Sequence, residues 1–197
     1  MTIVFGLGNN QVEYLETKHN AGRIMVQNLA NFWNCQFVKQ KNFFWANSGQ
    51  IIENGNEQEK LILLYSTGFM NNSGLVLASF LAYYKPNPQN LKIVILQDDS
   101  DQMEGSQKLT IGGGSGGHNG ISSIYQHFMN KEKIWRLKIG VRPSLNKSKS
   151  ETFVLQKISQ SEKEYLEKLT ELLVQNTDLL TQNNFGKLQT LINSFRS

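Results

Sequence analysis

Residues 91–96 read Leu-Lys-Ile-Val-Ile-Leu, the most strand-like run in the chain. A short run this rich in aliphatic and β-branched residues suits a strand covered on both faces. Such a strand belongs inside a parallel or mixed sheet with helices above and below it. Residues 2–7 (TIVFGL) and 61–65 (LILLY) have the same character, and a polar loop and then a helical pattern follow each. After 2–7 comes the turn-forming Gly6-Leu7-Gly8-Asn9-Asn10, then Asn20 as N-cap of a helix carrying Met25, Val26, Leu29, Phe32 and Trp33. After 61–65 comes Gly68-Phe69-Met70-Asn71, then an apolar helix over 73–84 ended by Pro86-Asn87-Pro88.

Repeated strand–loop–helix order predicts an α/β fold. The expectation is a single domain over 1–197, with a twisted mixed, largely parallel central sheet flanked by helices and with C-terminal helices. Further strands are expected over 43–52, 107–111 and 135–141. In the last of these, Arg136 and Lys138 alternate with apolar residues and are expected to point outward. The turn Glu53-Asn54-Gly55-Asn56 joins 43–52 to 61–65. A helix is expected over 120–129, a second opened by a Ser161–Glu164 capping box and running to about residue 175, and a last one carrying Leu188, Leu191, Ile192 and Phe195.

Composition narrows the function classes. With 39% hydrophobic and 18% charged residues over 197 positions, the chain supports one good core. A net charge of +4 makes a polyanionic partner plausible without requiring one. Cys35 is the sole cysteine, which excludes a disulfide framework and a cysteine metal cluster and fits a reducing compartment. The N-terminal residues lack a basic stretch followed by a long apolar one, and no window approaches the ~20 apolar residues of a membrane span. A cytoplasmic protein without membrane attachment is expected.

Residues 112–120, Gly-Gly-Gly-Ser-Gly-Gly-His-Asn-Gly, are the least ordinary stretch. A run this dense in glycine needs positive φ angles, close approach of another chain or ligand, or N–H groups that cradle an anion. A flexible linker is the alternative, but a strand-like segment leads in and a helix-like one leads out. The run is no Walker loop, since no Lys-Ser/Thr follows it, and the turn after 2–7 lacks the third glycine of a dinucleotide fingerprint.

Ligands in open α/β sheets bind beyond the carboxyl ends of the strands. Asn9 to His19, Gly68 to Asn71, Asp98, and His118-Asn119 all follow an apolar strand, so parallel strands would gather them in one cleft. Of the three histidines, His127 fits a structural place in its helix, whereas His19 can act as a general base if a carboxylate orients it. Asp98, the first acid after 91–96, is the partner, with Asp99 and Asp101 left as turn residues. Asn9, Asn71 and Asn119 offer uncharged donors suited to a carbonyl or an oxyanion. No serine lies in G-x-S-x-G and Cys35 sits at a helix end, so a His19-activated water is the simplest hydrolytic chemistry. The histidine spacing matches no metal motif, and neither metal nor cofactor is expected. Lys108, Lys131, Lys133, Arg136, Lys138, Arg142, Lys147 and Lys149 form either a solvated face or a phosphate-contacting one.

Together the segments FGLGNNQVEYLETKHNAG (5–22), TGFMNNSG (67–74), LQDDSD (96–101), GGGSGGHNGISSI (112–124) and WRLKIGVRP (135–143) resemble the bacterial peptidyl-tRNA hydrolase family, over roughly residues 1–155. The resemblance implies a single α/β domain, without cofactor, that cleaves the ester between a peptide and the tRNA 3′ end. It implies His19 as base, Asp98 as its orienting partner, Asn9 as sensor of the blocked amino end and Asn71 as positioner of substrate and water. It further implies that Tyr14, Phe69, Asn71 and Asn119 contact the tRNA, that Lys108 and Lys138 meet its acceptor end, and that the protein acts as a monomer. His118 is left as a supporting or substrate-binding residue. The chain departs from the family pattern at Asn10 (usually proline), Gly68 (threonine), Ser115 (histidine) and Gln97 (often histidine). A non-catalytic RNA-binding relative and an amidohydrolase of small peptides are the rival readings.

Overall fold

The computed structural model describes residues 1–54, 57–128, 133–143, 150–181 and 184–196. Lys131, Lys147, Lys149, Gly55 and Asn56 of the 53–56 turn, and most of the 142–150 loop lie outside the described residues. Within them, seven strands form one sheet: β1 (Thr2–Gly6), β2 (Val38–Gln40), β3 (Phe43–Asn54), β4 (Glu57–Ser66), β5 (Lys92–Met103), β6 (Gln107–Ile111) and β7 (Ile134–Arg142), in the order β2-β3-β4-β1-β5-β7-β6. β1 pairs in parallel with both β4 and β5, and β5 pairs in parallel with β7; β3 and β6 are antiparallel to their neighbours. Strand order therefore diverges on either side of β1, and the loops after β1 and β4 open at the same edge.

The apolar runs are strands because both faces of the sheet are covered. On one side α1 (Ala21–Phe32), α5 (Gln160–Gln175), α6 (Thr177–Thr181) and α7 (Phe185–Ser194) pack on Val4, Leu63, Leu96 and Leu137. On the other, α2 (Ser73–Tyr84) and α3 (Asn119–His127) pack on Phe5, Leu64 and Ile95. A Cβ on Gly22 of α1 would lie 2.0 Å from the Leu96 carbonyl oxygen, so the helix sits on the sheet at a distance only glycine permits.

Three sequence expectations need correction. β5 does not stop at residue 96 but continues to Met103, so Asp98 is a strand residue. The capping box is Ser159 with Glu162: the Glu162 N–H donates to Ser159 Oγ at 3.2 Å and the Ser159 N–H donates to Glu162 Oε2 at 2.8 Å. Arg136 does not point outward. It is 1% exposed, because the glycine run folds over its side of β7. The short α4 (Ser150–Phe153), with β2 and α6, had no distinct sequence signal.

Candidate active site

β6 runs against β7, so the chain leaves it at the wrong edge of the sheet for the site. The glycine run brings it back. Gly112, Gly113, Gly116 and Gly117 have φ of +60°, +85°, +60° and +76°, conformations that glycine adopts without strain. Arg136 holds the returning segment, donating from Nη1 to the carbonyls of Gly114 (2.6 Å) and Gly112 (3.3 Å), and from Nε to Gln97 Oε1 at 2.8 Å. The rule that strand ends gather at one edge thus holds for β1 and β4, Asp98 lies inside the longer β5, and His118 and Asn119 arrive by this detour.

His118 arrives as the N-cap of α3. Its Nδ1 accepts from the N–H groups of Gly120 (3.1 Å) and Ile121 (3.4 Å). The ring proton is therefore on Nε2, which donates to Asp98 Oδ1 at 3.0 Å. His19 stands in a 3-10 turn (Lys18–Asn20) ahead of α1, its N–H bonded to the Val154 carbonyl at 2.8 Å. Its Nδ1 lies 2.9 Å from both oxygens of Asp98. Asp98 is thus shared by two imidazoles, whose rings are 5.1 Å apart and tilted by 42°.

Burial opposes ionisation of Asp98, but the two adjacent imidazoles outweigh it and hold the carboxyl far below its usual range. An ionised carboxylate only accepts, so His19 donates from Nδ1 and keeps the Nε2 lone pair free. Burial lowers the His19 pKa, yet the charge of Asp98 and its hydrogen bond more than reverse this, and the net shift is upward. His19, Asp98 and His118 are also the one group among the described residues whose donor atoms could meet a metal ion, lying within 4.8 Å of one another. They fit one poorly. Metal at His118 Nε2 would displace the proton there, and Nδ1 cannot take it while accepting the α3 N–H groups.

Asn20 is not the side-chain cap of α1 that its position suggests. Its amide closes on Asn9, accepting the Asn9 N–H at 2.7 Å and donating to the Asn9 carbonyl at 2.9 Å, and Arg23 donates to that carbonyl at 2.8 Å. The Asn9 side chain accepts the Met70 N–H on Oδ1 at 2.8 Å, which leaves Nδ2 as its free donor on the cleft. Two clefts meet at His19. One, of about 530 Å3, is walled by Asn9, Tyr14, Phe69, Met70, Asn71 and Leu155; the other, of about 210 Å3, runs between Asp98, Ser115, Gly116, Arg136 and Lys138. Asn119 borders both, and Asn71 and Phe69 are exposed on the rim. Lys138 pairs with Asp99 at 3.0 Å, and Lys108 is its register partner on β6, so the two residues stand side by side on the sheet.

The family model for peptidyl-tRNA hydrolase matches residues 3–197. The chain belongs to the peptidyl-tRNA hydrolase family. It is 33% identical over 195 residues to the peptidyl-tRNA hydrolase of Vibrio parahaemolyticus, covering 99% of this chain and 96% of that protein. It is 35% identical over 192 residues to that of Rickettsia canadensis, covering 98% and 100%. The crystal structure of the Acinetobacter baumannii peptidyl-tRNA hydrolase superposes with a TM-score of 0.82 at 28% identity, over 100% of this chain and 96% of that one.

Of the residues expected at a peptidyl-tRNA hydrolase site, His19, Asp98, Asn9, Asn71, Tyr14, Phe69, Asn119 and His118 converge on the two clefts, with Lys138 at the end of the smaller one and Lys108 beside it on β6. Sequence reasoning missed Lys18, which is buried against Glu104 and, at 3.1 Å, Glu162, tying the His19 turn to the turn after β5 and to α5. It also missed Val154 and Leu155, whose only signal was an apolar pair after a polar loop. His127 has the structural place expected of it, bonded through Nδ1 to the Ser123 carbonyl at 2.9 Å.

Proposed function

We propose that this chain hydrolyses the ester of N-blocked peptidyl-tRNA with a water activated by His19, releasing tRNA from stalled or aborted translation, and that it acts as a cytoplasmic monomer without metal. The observation that carries the reading is the contact of His19 Nδ1 with Asp98, 2.9 Å from both oxygens, which favours the proton on Nδ1 and leaves Nε2 as base. Nε2 takes a proton from water as its oxygen attacks the ester carbonyl. The tetrahedral intermediate collapses with loss of the 3′-oxygen, which receives that proton, so peptide carboxylate and free tRNA leave. The alkoxide of an ester is a better leaving group than the amine anion of an amide, which suits a site with no covalent nucleophile.

The larger cleft, lined by Tyr14, Phe69, Asn71 and Asn119, takes the 3′ end of the tRNA with the ester it carries. Asn9 Nδ2 donates to the acyl group that marks a blocked amino end. Asn71 and Asn119 position the ester, His118 supports Asp98, and Lys108 with Lys138 meets acceptor-end phosphates. No helix among the described residues is long and apolar enough to cross a membrane, in keeping with a substrate met in water. The test compares N-acetyl-aminoacyl-tRNA with free aminoacyl-tRNA. The expected result is rapid cleavage of the first, little of the second, and loss of that difference in Asn9→Ala. Binding of both without cleavage would favour a purely RNA-binding role and defeat the proposal.

A further inference from the structure

The Asn9 amide can report on a ligand only while it keeps one orientation, and Met70 sets that orientation through its N–H. Two residues before Met70 stands Gly68. A Cβ there would meet nothing closer than Ser66 Oγ at 3.8 Å, and its φ lies outside the left-handed region. Neither crowding nor backbone hand demands glycine, whose effect is to free the chain that carries Met70. That freedom is opposed at both ends of the residue. The Gly68 N–H donates to Ser66 Oγ at 2.9 Å, and the Gly68 carbonyl accepts the N–H of Asn10 at 3.0 Å. The second bond requires an N–H at position 10, which proline lacks. Asn10 and Gly68 thus lie opposite one another across the two loops.

We infer that Asn10 and Gly68 are a matched positioning pair, whose N–H to carbonyl bond joins the Asn9 loop to the Met70 loop and fixes the aim of Asn9. The two loops then share two rungs, one residue apart on the first loop and two on the second: Asn10 N–H to the Gly68 carbonyl and Met70 N–H to Asn9 Oδ1. Asn10 acts through its backbone; its side chain is not required. The inference rests on the proposed role of Asn9 in reading the blocked amino end.

Hydrogen exchange on the wild-type protein tests the link without substrate. The Asn10 and Met70 amides are expected to exchange at least about tenfold more slowly than free amides of the same loops. Exchange at the free rate would overturn the inference. The selectivity ratio, kcat/KM for N-acetyl-aminoacyl-tRNA over that for aminoacyl-tRNA, tests its consequence. Asn10→Ala keeps the N–H and should hold the ratio within about twofold, whereas Asn10→Pro should lower it about tenfold, as expected for one lost hydrogen bond. Adding Gly68→Thr to Asn10→Pro should restore it by stiffening the loop. An unchanged ratio in Asn10→Pro, or an equal fall in Asn10→Ala, would overturn the pair. Should Asn10→Pro fail to fold, exchange and Asn10→Ala decide the matter. Should the wild type cleave neither substrate, the functional proposal fails while exchange still judges the link.

Discussion

Asp98→Asn removes a charge with little change of shape, and the neighbouring imidazoles determine what the new amide must do. His118 cannot move its proton from Nε2, because its Nδ1 accepts the α3 N–H groups. The amide oxygen therefore turns to His118, and the NH2 takes the other position, 2.9 Å from His19 Nδ1. There it donates to Nδ1 and favours the proton on Nε2, the wrong tautomer for a base. Keeping the useful tautomer, with the Nδ1 proton given to the amide oxygen 2.9 Å away, forfeits that hydrogen bond and faces one buried donor with another. At about 1–3 kcal/mol for each of the two losses, the cost is about 2–6 kcal/mol, or roughly 30- to 25,000-fold in rate. The assay is single-turnover hydrolysis of N-acetyl-aminoacyl-tRNA. Activity of Asp98→Asn within about tenfold of wild type would refute the reasoning.

Two further predictions follow from the charges. Because Asp98 raises the His19 pKa, the basic form of His19 appears only above its ordinary value, so the acid limb of kcat/KM should lie above about 6.5. In Asp98→Asn only burial remains, and the limb of any residual activity should move below 6.5; pH–rate profiles of both proteins check this. Stability follows with its own sign: the raised His19 contributes fully below about 6.5 and fades as pH rises through its folded value. The depressed Asp98 contributes above about 3.9 and fades as pH falls, so urea unfolding should find the pair at full strength between these limits. Lys18→Met strands Glu162 and Glu104 without their cation and should cost about 2–4 kcal/mol in urea unfolding, the lower part of the range reflecting the partly exposed Glu104. A change under about 0.5 kcal/mol would mean the triad contributes nothing.

The sheet and the main helices were legible because the fold covers both faces of its strands, which forces continuous apolar runs such as 2–7, 61–65 and 91–96. The site was legible where it obeys the strand-end rule, as at Asn9 and Asn71. Asp98 was found for a partly mistaken reason, since it lies inside β5 and stands at the edge only because β1 ends earlier, with Gly6 opposite Leu96. The direction of β6 was not legible, and with it went the place of Arg136, whose charge reads as surface until the glycine run is folded over it. Asn20 misled because the same side chain that caps helices also pairs with a neighbouring backbone. Lys18 left no signal, because its partners lie 86 and 144 residues away.

The account stands most directly on His19 as the base. His19→Ala, assayed with N-acetyl-aminoacyl-tRNA alongside tRNA binding, should lose essentially all turnover while binding tRNA as the wild type does. Turnover near the wild-type rate with binding intact would contradict it.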